Sequence, residues 1–323
     1  MKAVLRAAIL LLALPAIAAA RSEAQRMADA ERVRADWIRG WSPAWAELIF
    51  AVVVIVLYSV RAGQLGDRLP RWRVVCFFSG IFTLTFAVSS PIDPVGENGL
   101  FFVHMAQHML LGDLAALLLV LGVNGPMLRP LLPKRWVQSL RRLTHPVVAF
   151  ILWAVLFLGW HLPMMYDAAL DHSSVHAVEH ISFVTAGLLL WAPVFEVFPG
   201  PEWFGSGAKV VYLFVIRSVD MILSNIFWWS GRVIYPRYEE TAPLWGISAR
   251  ADQVHAGTVM MAWTGTVTLV VASIFFFRMA RESTVRQALI EGGVDPRAAR
   301  RAVRYGRGEV LAKRYGIEIT DTP

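Results

Sequence analysis

Seven long apolar runs, at roughly 43–60, 74–90, 100–123, 146–162, 175–197, 209–229 and 253–277, dominate this chain. A helix needs about 20 mostly apolar residues to cross a bilayer, so the runs predict seven transmembrane helices. An eighth, shorter run differs in kind. Lys2 and Arg6 precede Ala7–Ile17, and Ala18-Ala19-Ala20 stands before Arg21. A charged start, a short apolar stretch and a small-residue cleavage site read as a signal peptide over 1–20, with an uncleaved anchor as the alternative. The expected organisation is a signal peptide (1–20), a periplasmic segment (21–42), a seven-helix membrane domain (43–277) and a basic cytoplasmic tail (278–323). The fold class is an all-α polytopic membrane bundle.

The loops orient the bundle. The loop 61–73 carries Arg61, Arg68, Arg71 and Arg73 against Asp67. The loop 124–144 carries Arg129, Lys134, Arg135, Arg141 and Arg142 with no acid, and the tail from Arg278 has ten basic and six acidic residues. The loops 91–99 and 163–174 hold only acids: Asp93, Glu97, Asp167 and Asp171. Because Lys and Arg collect on the cytoplasmic side, the mature chain is expected N-out and C-in. Composition agrees. The 323 residues are 56% hydrophobic and only 17% charged, against about 25% charged in a soluble domain. The net charge of +7 is therefore an orientation signal beside membrane lipid, not a nucleic-acid footprint. No phosphate-binding glycine loop is present. The single cysteine, Cys76, rules out an internal disulfide or a thiolate metal cage.

The histidines carry the chemistry. Of eight, only His145 falls on the cytoplasmic side. His104, His108, His161, His172, His176, His180 and His255 fall at the outer ends of four helices. His104-x3-His108 and His176-x3-His180 are i, i+4 pairs, one helical turn apart, so each pair can aim two imidazoles at one point. Imidazole inside a membrane is costly to leave unpaired and marks function. His104, His108, His161, His176 and His180 are the expected metal ligands; His172 and His255 read as interfacial residues. Met105, Met109, Met164, Met165, Met260 and Met261 lie in the same layer. Imidazole suits Zn, Cu, Fe and Ni, and thioether selects Cu(I), so copper leads and zinc follows. Most of these methionines read as packing, with Met260 the candidate soft ligand. Glu179, Asp167 and Asp252 are expected to orient imidazoles or to ligate. Asp113 is placed off the site, and Arg217 with Asp220 reads as a structural pair.

His104-Met-Ala-Gln107-His108-Met-Leu-Leu111, then Leu121-Gly122 and Pro126, resembles the third-helix signature of the CtaG family, bacterial membrane assembly factors for cytochrome c oxidase. Trp160-His161-Leu-Pro163-x-x-Tyr166-Asp167-x-x-Leu170 and His176-x-x-Glu179-His180, with Trp191 and Pro193, are similar to its next blocks. Tyr235, Leu244-Trp245-Gly246-Ile247-Ser248 and Asp252-Gln253-x-x-x-Gly257-x-x-Met260 complete the order over about 43–277. Three features depart from the pattern: Ala115-Ala116 where the family often has a proline pair, Asp113, and the extra His255 and Met261. The resemblance implies a role in maturing a haem–copper oxidase, with oxidase subunits as partners; a homo-oligomer is compatible with the sequence.

The reading is therefore an oxidase assembly factor with a periplasm-facing His/Met copper site, in the bacterial inner membrane. The alternatives are an intramembrane zinc hydrolase built on HxxxH with Asp167, Glu179 or Ser173, a single-haem electron-transfer protein, and a metal-free assembly scaffold.

Overall fold

The computed structural model describes residues 23–42, 45–128, 130 and 132–319. The expected signal peptide and Arg129 lie outside the described residues. Among the described residues there is no strand. The helices are α1 (Glu23–Ala35), α2 (Trp45–Leu65), α3 (Arg71–Ser89), α4 (Ile92–Asn98), α5 (Phe101–Met109), α6 (Ala116–Gly122), α7 (Gly125–Leu128), α8 (Lys134–Leu143), α9 (Pro146–Trp160), α10 (Pro163–Asp171), α11 (Ser173–Val194), α12 (Ser206–Trp229), α13 (Arg237–Thr241), α14 (Ala249–Glu291), α15 (Pro296–Arg304) and α16 (Gly308–Tyr315). A wider π-type turn, Leu110–Ala115, joins α5 to α6 in one continuous rod.

Six helical rods are long and apolar enough to cross a membrane: α2, α3, the α5–α6 rod, α11, α12 and α14. A seventh crossing exists if α8 and α9 are counted as one span, but they meet at a bend of 70°. The bend has a local cause. His145 is extended, as the residue before a proline must be, and Pro146 starts α9 afresh. At 15 residues α9 is only about 22 Å long, short of the roughly 30 Å apolar layer. The protein is thus a multi-pass membrane protein of six to seven spans. On α2, Ile49, Phe50, Val53, Val56, Leu57 and Val60 are all exposed, an apolar face suited to lipid.

Three expectations change in detail. The acidic stretches expected as loops at 91–99 and 163–174 contain α4 and α10. They are too short to stand out as apolar periods, and α10 starts on Pro163, where a proline suits a first helical turn. The last long helix also runs past 277 to Glu291.

The chain divides into two compact units. The larger comprises 1–199 with 219–264, and holds the α5–α6 rod and α11 at its interior. Helices α11 and α5–α6 approach closely at Gly187. A Cβ there would overlap the Gly112 carbonyl and lie 2.7 Å from the Ala116 Cβ. The smaller unit comprises 200–218 with 265–323. In it Val285, Leu289, Val294, Ala299 and Ala312 form an apolar cluster under the tail helices. Asp295 caps α15 by accepting the Arg297 and Ala298 N–H groups at 3.0 and 2.9 Å.

The close approach at Gly187 makes the two-helix contact sensitive to one methyl group. Gly187→Ala is expected to destabilise the protein by about 1–3 kcal/mol through overpacking, read as a lower unfolding midpoint in detergent. Gly159→Ala, where a Cβ meets no atom within 4 Å, is the control and should not lower it.

Candidate metal centre

Each histidine pair sits in the first turns of its helix. His104 is the fourth residue of α5 and His176 the fourth of α11. His161 closes the far end of α9. Three helices therefore deliver the five histidines to one end of the larger unit.

The tightest group is His104, His108 and Glu179. The Nε2 atoms of the two histidines are 2.8 Å apart, and each lies 3.8 Å from Glu179 Oε2. All three side chains are essentially without solvent exposure. Neither Glu179 oxygen has a hydrogen-bond partner. A buried carboxylate without partners is costly unless something positive or protic compensates it. The two imidazole nitrogens share one hydrogen bond, one ring donating to the other, and both lone pairs become available if a cation replaces that proton. Two such nitrogens beside an unpartnered carboxyl group are a donor set that fits a metal ion.

His161 is prepared in another way. Its Nδ1 donates to the Phe157 carbonyl at 2.7 Å, which leaves the lone pair on Nε2. That Nε2 is buried and has no partner. The His108 ring stacks on Phe183 at 4.2 Å and the His161 ring meets the same phenyl edge-on at 5.9 Å. His176 and His180 stand with ring centroids 4.2 Å apart, beside His104 and His108 respectively. Met260 is fully buried on α14.

The other acids serve different purposes. Asp252 accepts the backbone N–H groups of Phe101 and Phe102 at 2.8 and 2.9 Å. The first turn of a helix leaves such donors unpaired, and Leu100 at the N-cap has no side chain to take them. Asp252 thus fixes the start of the ligand-bearing helix and has both oxygens committed there, not to an imidazole. It also sets a register: Met260 lies eight residues, about 12 Å, along α14 from Asp252. His108 lies seven residues, about 10 Å, along α5 from Phe101. Gln253 locks the preceding loop, accepting the Ile234 N–H at 2.7 Å and donating to the Phe227 and Arg232 carbonyls.

Asp167 has Asp171, Arg237 and Arg26 as its charged neighbours. Burial and Asp171 push its carboxyl up, while the two arginines pull it back. Asp113 accepts the indole N–H groups of Trp191 and Trp263, each at 3.0 Å, away from the histidines. Met164 and His255 are exposed, His255 edge-on to Phe102.

Two features were not anticipated. Asp93, on α4, forms a second close group with His176 and His180, held by the Gln107 amide at 2.7 Å. Burial pushes the Asp93 carboxyl up, and His176 and Gln107 pull it back. Its only sequence signal is one of two acids, with Glu97, in the short segment leading into an HxxxH helix. The second feature is a tyrosine layer over the site. Tyr235 donates to the His161 carbonyl at 2.7 Å and Tyr238 to the Gly96 carbonyl at 3.0 Å, while Tyr166 and Tyr238 share a 2.9 Å O···O contact. Burial raises all three phenols, so they remain neutral hydrogen-bonding groups. Gly96 also packs on the His104 backbone, where a Cβ would come within 2.9 Å of its Cα.

These features define a polytopic membrane protein with a buried imidazole–carboxylate cage at one end. The model of the cytochrome c oxidase caa3 assembly factor family (Caa3_CtaG) matches residues 54–282, and the chain belongs to this family. An uncharacterized protein of Mycobacterium leprae is 27% identical over 226 residues, covering 64% of this chain and 34% of its own length. Uncharacterized proteins of Mycobacterium bovis and Mycobacterium tuberculosis are each 24% identical over 259 residues, covering 73% of this chain and 39% of theirs. The chain spans about a third to two fifths of the length of these curated relatives. No solved structure matches it. The family is one of assembly factors, and the zinc-hydrolase alternative finds no support in it.

The cap at the start of α5 is testable apart from any metal. Asp252→Ala leaves two helix N–H groups without their acceptor and should cost about 1–2 kcal/mol. Asp252→Asn keeps one acceptor oxygen and should cost less. Unfolding midpoints of the metal-free proteins in detergent measure both.

Proposed function

We propose that this chain supports cytochrome c oxidase assembly by holding copper and passing it toward the oxidase. It would do so at the outer, periplasmic face of the bacterial inner membrane. The observation that carries the reading is the Glu179 carboxylate, buried without a hydrogen-bond partner against the His104 and His108 nitrogens. His104 and His108 hold the ion, Glu179 offsets its charge, and the prepared Nε2 of His161 completes the nitrogen set. His176 and His180 adjoin it, and Met260 is the candidate soft ligand at the depth of His108.

Copper is cargo in this reading. Imidazole and carboxylate donors bind first-row ions without the closed thiolate cage that retains them, so release by ligand exchange is accessible. The oxidase subunits are the partners that would accept the ion. The basic loops 61–73 and 124–144 support the orientation by the positive-inside rule.

The test is metal analysis of the purified full chain after loading with Cu(I) and, separately, Zn(II). Copper should be retained, and His104→Ala with His108→Ala together should lower the copper bound per chain. Unchanged copper in the double variant would sink the site as drawn. In cells lacking the chain, oxidase should accumulate with reduced copper. Normal copper with missing subunits would instead indicate a metal-free scaffold.

A further inference from the structure

The five histidines do not converge on one point. The ligand atoms of His104, His108 and Glu179 lie within 4.8 Å of one another, and those of Asp93, His176 and His180 form a second such group. Each group is two imidazoles one helical turn apart plus a carboxylate from another helix. The arrangement is reciprocal. Helix α11 lends Glu179 to the pair on α5, and its own pair, flanking Glu179 in sequence, meets Asp93 of α4.

The second group has its own signs of a ligand. His176 and His180 each present a buried Nε2 with no partner, and His176 is only 6% exposed. Asp93 is oriented: its Oδ1 accepts the Gln107 Nε2 N–H at 2.7 Å, and the same amide is tied to the Ala87 carbonyl at 2.9 Å. That bond leaves Asp93 Oδ2 uncommitted to Gln107. A side-chain amide that holds a carboxylate beside two histidines is the kind of outer support that metal ligands receive. The two groups adjoin, with ring centroids of His104 and His176 5.4 Å apart and those of His108 and His180 5.9 Å apart. They differ in burial. The first is wholly buried, whereas Asp93 and His180 keep partial exposure.

We propose that the chain binds two metal ions side by side, the second in a site made by Asp93, His176 and His180. This rests on the copper reading above. The second site, whose Asp93 and His180 keep partial exposure, is the position an ion would meet first, with the wholly buried site beside it. Passage from one to the other is ligand exchange, imidazole for imidazole and carboxylate for carboxylate, with no change of oxidation state.

Copper per chain decides this. The full-length protein in detergent is saturated with Cu(I) under anaerobic, reducing conditions, freed of excess ion and analysed for copper and protein. Two copper ions per chain are expected in the wild type. Asp93→Asn keeps the oxygen that accepts from Gln107 but removes the charge, and should fall to one. His176→Ala with His180→Ala should also fall to one. His104→Ala with His108→Ala should keep one, at the second site. One ion in the wild type overturns the two-site inference and leaves the copper reading standing; none overturns both. Two ions retained in Asp93→Asn and in the His176/His180 double variant overturn the assignment of the second site. The wild-type count stands without any variant, and unfolding midpoints of the apo variants show whether a lost ion reflects a lost fold.

Discussion

The interior of this bundle is organised around a buried carboxyl group that has no hydrogen-bonding partner. Glu179 has no solvent exposure and lies in a helix long and apolar enough to cross a membrane. Its two oxygens have no hydrogen-bond partner, and two imidazole nitrogens stand 3.8 Å from Oε2. Leaving a buried polar group without a partner costs about 1–3 kcal/mol, and more if the group is charged. The surrounding features hold the imidazoles in place against that cost. Asp252 holds the first turn of the His104 helix. Gly96 lets α4 lie directly on the His104 backbone, and Gly187 lets α11 press on the π-type turn below His108.

Polar residues in such an interior divide into ligands and fasteners, and the two kinds share the same sequence blocks. Asp252, Gln253, Tyr235 and Tyr238 spend their polar atoms on backbone groups, and Tyr238 also meets the Tyr166 hydroxyl. Asp113 spends both oxygens on indole N–H groups. Glu179, His161, His176 and His180 retain buried atoms with no partner. Satisfying every buried polar group is the rule, so a cluster of exceptions at one place is the observation that the proposed metal site rests on.

Much of this was legible in the sequence, for physical reasons that also explain what was missed. A membrane span must satisfy its own backbone and be apolar along its length, so all seven runs stand out, and six of them are helices long enough to cross a membrane. The i, i+4 histidine pairs are legible because helical geometry alone places them one turn apart. Glu179 was legible as an acid between two such histidines. Asp93 was not, because it joins the site from α4, a seven-residue helix with no apolar period of its own. The commitment of Asp252 to a helix start 150 residues away was also out of reach, since nothing local announces a tertiary cap. The bend at His145–Pro146 was written in the proline, but an apolar run conceals that its helix has only 15 residues.

In the proposed reading, metal retention and metal identity would rest on different atoms. Two imidazoles and a carboxylate hold copper and zinc alike, and neither close group contains sulfur. Cys76, the chain's one thiol, lies on α3 and belongs to neither group. In the proposed copper reading, selectivity would come from beyond the two groups, and the register set by Asp252 brings one candidate to a similar depth. That register places Met260 level with His108. The aspartate that starts the ligand helix is thus also the residue that fixes how far along α14 a thioether stands. In that reading one carboxylate, bonded only to backbone N–H groups, would position both the His104 helix and the thioether.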